Sequence, residues 1–101
     1  MANVKQTENP SDLKRFETQV RVLKHMVANS PKSEVKHFPI HEISQHTGCD
    51  ERDVLRSLYI LEGHKFVTPL PPGDFTSNVW CLTEMGFSAI KRININNATL
   101  L

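Results

Sequence analysis

Residues 38–61 have the sequence FPIHEISQHTGCDERDVLRSLYIL, and this stretch decides the fold. Ile40 and Ile43 lie three residues apart, which predicts the inward face of a helix of about two turns. Gly48 can take the left-handed conformation that ends such a helix without steric cost. Asp50 follows closely and can cap another helix, because its carboxylate can accept the free amide hydrogen three residues later. We therefore predict two short helices joined by a tight turn.

The chain then continues into a predicted hairpin. The second of the two helices should end near His64. Its apolar residues share one face: Val54, Leu58 and Leu61. Beyond it the apolar period changes from about 3.6 to about 2 residues, so residues 66–70 and 78–82 are predicted strands and the PPGD sequence at 71–74 is a predicted turn. Pro69 has no amide hydrogen, and we expect its nitrogen to face away from the partner strand.

Further elements are predicted on both sides of this unit. The first helix begins at Ser11 and ends before Pro31. Apolar residues spaced by three and four form its predicted buried stripe: Leu13, Phe16, Val20, Leu23 and Val27. A brief strand is expected at His37–Phe38. Thr83 is expected to cap a last helix that runs to about Arg92.

Length and composition indicate one globular domain. The 101 residues are 39% hydrophobic and 23% charged, close to the average of such domains. We expect a flexible leader or linker at 1–10, the domain at 11–93 and a frayed tail at 94–101. The sequence has no apolar run of about eighteen residues to span a membrane and no secretory signal. Cys49 and Cys81 are too few for a disulfide framework, which favours reduced thiols in an intracellular protein.

The formal charge of +1 conceals a separation along the chain. Residues 1–37 carry seven basic and four acidic side chains, a balance of +3, whereas 38–82 carry three and six, a balance of −3. Residues 83–101 carry two and one. DNA affinity depends on neutralised phosphates, and the predicted hairpin has no Lys or Arg between Thr68 and Leu82. The separation of charge therefore favours a protein partner over a DNA groove.

The order of helix, short strand, helix, turn, helix, hairpin and helix resembles the winged helix-turn-helix superfamily over about residues 11–92. The apolar positions quoted above match its pattern, and the LTEMG sequence at 82–86 resembles its closing strand-to-helix junction. The resemblance implies a mainly α fold with a small antiparallel β-hairpin (α+β): a three-helix core, a wing and a C-terminal helix. Residues 58–68 are also similar to the C-terminal winged helix of the middle subunit of replication protein A, which recruits repair proteins.

One departure from the winged-helix pattern lies at the end of the third helix. Many members have glycine just before the first wing strand, whereas here Gly63 comes early and Lys65 occupies that position. Either Lys65 is left-handed at some energetic cost, or the helix stops at Gly63 and His64–Lys65 lead into the strand. We favour the second alternative.

The outward side of the third helix and the start of the wing are the predicted partner-binding surface, for protein or DNA. Six residues make it up: Arg52, Leu55, Arg56, Tyr59, Lys65 and Phe66. Exposed aromatic and aliphatic groups with little charge are typical of a protein interface. In the DNA alternative, Arg52 and Arg56 enter the major groove and Lys65 contacts a phosphate. The arginines could also be solvated partners of Glu51 or Asp53.

The first helix carries a further set of cations: Lys14, Arg15, Arg21, Lys24 and His25. These side chains could contact phosphates without reading sequence. Such a spread of charge is more often simply a soluble helix surface.

Metal and catalytic sites are not predicted. Pro39 separates His37 from His41, and a turn separates His46 from Cys49, so neither pair has the spacing of zinc ligands. Each glycine is isolated, which excludes a glycine-rich phosphate loop, and no nucleophile motif is present. We therefore expect no cofactor and no enzyme activity.

Two functions follow from these observations. The first is a protein-interaction module of a DNA replication, repair or telomere-maintenance factor, with an amphipathic partner segment in an apolar groove between the third helix and the wing. The second is direct binding of duplex or single-stranded DNA by a transcriptional or chromatin regulator. Both imply a nuclear protein that does not act at a membrane.

Overall fold

A computed structural model of the chain describes residues 10–31 and 35–90. This part contains four helices and a three-stranded antiparallel sheet, an α+β arrangement. In chain order the elements are α1 (Pro10–Ala28), β1 (Phe38–Pro39), α2 (Ile40–Thr47), α3 (Glu51–Gly63), β2 (Val67–Pro69), β3 (Val79–Leu82) and α4, which covers 84–90. The order agrees with the sequence prediction, although α1 begins at Pro10 rather than Ser11. The predicted leader, apart from Pro10, the tail and the end of α4 near Arg92 lie outside the described residues.

The three strands pair in the order β1-β3-β2, so β3 is central. Phe38 of β1 and Pro69 of β2 both lie opposite Trp80 of β3. The amide of Leu70 donates to the carbonyl of Val79 at 3.0 Å. Because bonded and non-bonded pairs alternate along antiparallel strands, the nitrogen of Pro69 faces away from β3, as predicted.

The core lies between the C-terminal half of α1, the next two helices and the sheet. Ile40 and Ile43 of α2 are buried, as their spacing predicted. The largest fully buried side chains include Trp80, Phe38, Leu23, Met26, Ile43 and Leu58. Burial of side chains of this kind contributes about 1.5–3 kcal/mol each, so this cluster is the main source of stability.

The buried stripe predicted for α1 is wrong in its N-terminal half. Leu13 and Phe16 are 55% and 61% exposed, whereas Val22 and Met26, which lie outside the stripe, are fully buried. Leu23 is buried as predicted. The main contact of α1 is with α3, and this contact selects a helix face that contains Val22 and Met26. The spacing of apolar residues along one helix does not contain that information.

The turn between α2 and α3 is fixed from the α2 side. Gly48 has a φ of +72°, and its amide donates to the carbonyl of Ser44 at 3.0 Å, so Gly48 ends α2 as predicted. The hydroxyl of Ser44 donates to the carbonyl of Cys49 at 2.6 Å. Asp50 occupies the N-cap position of α3, but its side chain makes no capping hydrogen bond, so that part of the prediction is wrong. The bonds of Ser44 hold the turn instead.

The end of α3 combines the two alternatives left by the sequence. The helix stops at Gly63, as expected, and Lys65 nevertheless takes the left-handed conformation, with a φ of +66°. The amide of Phe66 donates to the carbonyl of Leu61 at 3.0 Å, and the amide of Lys65 donates to the carbonyl of Glu62 at 2.8 Å. These two bonds form a Schellman motif, which requires a left-handed residue at the position of Lys65.

The start of α4 is bonded to the turn that follows α3. The hydroxyl of Thr83 accepts from the amide of Gly86 at 3.1 Å, which is the predicted cap, and donates to the carbonyl of Lys65 at 2.6 Å. The amide of Thr83 donates to the carbonyl of Phe66 at 3.0 Å. Gly86 is buried, and a Cβ at this position would overlap the carbonyl oxygen of Phe66. The missing side chain of Gly86 therefore allows α4 to lie against this turn.

Candidate functional site

The solvent-facing side of α3 carries three of the six predicted partner-binding residues in exposed positions. These are Arg52, Arg56 and Tyr59, and Lys65 is exposed just beyond the helix. Leu55 and Phe66 are partly buried and pack against the core cluster. The outward placement predicted for these last two residues therefore holds only in part, because each also covers the core.

Tyr59 joins α3 to the loop between β2 and β3. Its hydroxyl donates to the carbonyl of Phe75 at 3.0 Å. Its ring meets the ring of Phe75 edge to face, with centroids 5.7 Å apart, and lies 6.1 Å from the ring of Trp80. Trp80 is fully buried, whereas Tyr59 and Phe75 are each 42% exposed. Tyr59 is therefore held in one orientation while part of its ring faces solvent.

Phe75 was not among the predicted partner-binding residues, because it lies in the connection between the two predicted strands. The carboxylate of Asp74 accepts from the hydroxyl of Thr76 and from its amide, the latter at 3.0 Å. These bonds hold the pKa of the Asp74 carboxyl below its ordinary value. The hydroxyl of Ser77 donates to the carbonyl of Leu70 at 2.6 Å. The Asp-x-Thr spacing, which is typical of a turn closed by its own side chain, was the signal for an ordered loop here.

A second feature, the α1–α3 cleft, opens between the N-terminal half of α1 and the middle of α3, with a volume of about 210 Å³. Its lining consists of Lys14, Arg15, Thr18, Asp53, Arg56, Ser57 and Ile60. Thr18 and Ser57 are buried and Asp53 is half-buried, while the other four side chains are exposed. The fold thus places cations from the positively charged segment 1–37 beside Arg56, which belongs to the negatively charged segment 38–82.

His25 does not lie on the polar face of α1. Its ring stacks on the ring of His46 in α2 with centroids 5.2 Å apart, and meets Phe38 edge to face at 5.8 Å. Its Nε2 is buried and has no hydrogen-bond partner among the described residues. Burial, followed by the charge of His46, lowers the pKa of His25 from its ordinary value of 6.5. His25 therefore belongs to the packing between α1 and α2.

Within residues 10–31 and 35–90, no three His, Cys, Asp or Glu side chains are grouped closely enough to hold a metal ion. No helix in the described part of the chain is both long and apolar enough to cross a bilayer. No family model matches the chain, and no curated protein is significantly similar to it in sequence. Its function is therefore inferred from the α1–α3 cleft and from the α3 face, which consists of the exposed residues Arg52, Arg56, Tyr59 and Ile60.

Proposed function

We propose that this chain is a non-catalytic binding module with the winged helix-turn-helix fold, and that its α3 face receives a protein partner. The order of the elements supports the fold, and the β2–β3 hairpin stands where the wing is expected. Gly48 ends α2 and Thr83 caps α4, as their residue types predicted, and both features support the proposed fold. On the likeness to the winged helix of replication protein A, the module serves a nuclear factor in DNA replication, repair or telomere maintenance.

The observation that carries the proposed function is the exposed pair of Tyr59 and Ile60 beside Arg56. The two apolar side chains are 42% and 36% exposed on α3. Tyrosine and arginine are enriched among the residues that dominate binding energy at interfaces. The Tyr59 side chain is already held by its bond to Phe75, so docking would cost Tyr59 little conformational entropy. This surface suits the apolar face of an amphipathic partner helix.

Direct DNA binding is the second candidate, supported by the exposure of Arg52 and Arg56 on one side of α3. In that arrangement both would enter the major groove and Lys65 would contact a phosphate. Two carboxylates lie in the first turn of the same helix, and the hairpin has no Lys or Arg between Thr68 and Leu82. Because each missing phosphate contact removes salt-dependent affinity, the protein partner is better supported.

A displayed library of amphipathic helical peptides, panned against the whole chain, tests the protein-partner proposal. We expect enriched peptides to lose about tenfold or more in affinity for Ile60→Ala and for Tyr59→Ala, because both truncate the docking surface. Met85→Ala, which truncates a 50% exposed side chain on α4, is the matched control and should leave affinity unchanged. Failure to enrich any peptide, or equal affinity for all three variants, would contradict the proposal.

A further inference from the structure

The α1–α3 cleft adjoins the proposed docking surface, because Arg56 and Ile60 belong to both. A partner helix that covers Tyr59 and Ile60 would therefore pass over the mouth of the cleft. We infer that the partner segment carries a carboxylate side chain that enters this cleft. The inference rests on the proposed function and specifies the chemistry of its partner.

The charge of the lining is that of an anion-binding site. Lys14 from α1 and Arg56 from α3 contribute two positive charges against the one negative charge of Asp53, so the balance is positive without counting Arg15, which is engaged in an interaction of its own. A carboxylate that enters would therefore be attracted. Because the cationic side chains of the lining are exposed, this attraction is screened by water and weakens as the salt concentration rises.

The dimensions of the cleft suit a single side chain. A volume of about 210 Å³ is smaller than one turn of a helix, which is about 10–12 Å across and about 5.4 Å long. A glutamate or aspartate side chain with a few waters fits this space, whereas a helix does not.

Two buried hydroxyl groups add polar character to the lining. The hydroxyl of Thr18 donates to the carbonyl of Lys14 at 2.9 Å. The hydroxyl of Ser57, on a residue that is only 4% exposed, is a donor type that suits a carboxylate oxygen or a bridging water. Because the Thr18 hydroxyl already donates its one hydrogen to Lys14, only Ser57 of these two residues can donate to an entering carboxylate, and the cleft offers it charge and that one hydrogen bond.

A DNA phosphate has a similar charge but is less well supported as the occupant. A duplex presents phosphates in rows, and its affinity grows with the number that are neutralised. The hairpin beside α3 has no Lys or Arg between Thr68 and Leu82, and it carries the carboxylate of Asp74. A partner helix with one acidic side chain beside its apolar face fits better, because the acidic side chain suits the cleft and the apolar face suits the exposed Tyr59 and Ile60.

The test uses helical peptides that share one apolar face and differ at a single position on its edge, which is Glu, Gln or Lys. An equal mixture is panned against the whole chain, and the recovered peptides are counted. We expect Glu to exceed Gln by about two- to fivefold and Lys to be the rarest, because exposed cations of the cleft attract a negative side chain and repel a positive one.

Variants that remove single charges from the chain then show whether the preference for Glu over Gln peptides arises at the cleft. Lys14→Gln and Arg56→Gln should each bring the ratio of Glu to Gln toward one. Lys24→Gln removes the same charge from an exposed position of α1 outside the cleft lining, and should leave the ratio unchanged. Lys14→Gln is the more telling of the two cleft variants, because Lys14 lies on α1 and outside the α3 face.

The outcomes separate the two proposals. A ratio near one on the wild type, or a ratio that survives both cleft variants, would overturn the cleft inference, even while Ile60→Ala still weakens peptide binding. Peptide binding that does not depend on Ile60 would count against the proposed function itself. Loss of the Glu preference when random duplex DNA is added at about 1 µM would assign the cleft to a phosphate instead.

Discussion

Gly86 has no room for a side chain, because a Cβ there would overlap the carbonyl oxygen of Phe66 and approach Leu82. We expect Gly86→Ala to lower the free energy of unfolding by about 1–3 kcal/mol, since backbone cannot yield as a flexible side chain would. Gly63→Ala is the matched control, because Gly63 is helical and its Cβ would meet nothing within 4 Å. That variant should gain about 0.5–1 kcal/mol. Urea denaturation measures both, and equal effects would contradict the close approach of α4.

Lys65 has a left-handed backbone, which is costly for a residue with a Cβ. We expect Lys65→Gly to raise the free energy of unfolding by about 0.5–1 kcal/mol, because relief of strain exceeds the greater entropy that glycine gives the unfolded chain. Lys65→Ala keeps the strain and removes the same charged group, so it should bring no such gain. If Ala and Gly variants are equally stable by urea denaturation, the Schellman geometry is not a source of strain.

His25 makes stability depend on pH. Its pKa in the folded state lies below the ordinary value of 6.5, chiefly through burial, then through His46, while Glu42 opposes and Lys36 adds to the shift. The unfolded state therefore binds more protons as pH falls below about 6.5, and stability decreases there. Urea denaturation should show a loss between about pH 7.5 and pH 5.5 that is smaller in His25→Gln. An identical loss in both proteins would contradict the assignment to His25.

At the scale of elements, Tyr59 couples α3 to the β2–β3 loop through its bond to the Phe75 carbonyl. Tyr59→Phe removes that bond and retains the ring contacts, so we expect a loss of about 0.5–1.5 kcal/mol in the free energy of unfolding. The loop should also exchange its amide hydrogens faster, while amides in α2 remain protected. Unchanged exchange at Phe75 and its neighbours would mean that the polar bonds of Asp74 and Ser77 alone hold the loop.

The elements also differ in how far the sequence predicts them. α2 and α3 were predicted with their ends and buried faces, because Ile40, Ile43 and the apolar residues of α3 repeat at helical spacing between strong stop signals. The face of α1 was predicted only in part, since the choice between Phe16 and Val22 depends on how α3 crosses α1. Asp50 shows the same limit on a smaller scale, because its residue type and position predicted a capping bond that its side chain does not make.

At the scale of the whole molecule, the candidate site is assembled from segments that are distant in the sequence. Arg56 and Tyr59 were predicted as exposed from helical spacing alone. The proximity of Lys14 to Arg56 and of Tyr59 to Phe75 depends on tertiary packing, and no local pattern encodes it. The separation of charge along the sequence is therefore reduced in the folded chain. Segment 38–82 has a net negative charge, but α1 places cations beside α3.

The choice between a protein partner and DNA is tested most directly by titrating the whole chain into labelled random duplex DNA at low salt and then raising the salt concentration. We predict a Kd weaker than about 1 µM at about 50 mM salt, because the hairpin has no Lys or Arg between Thr68 and Leu82 and the first turn of α3 carries two carboxylates. A Kd below about 1 µM, with an affinity that falls steeply as salt rises and is lost in Arg56→Ala, would contradict the protein-partner proposal.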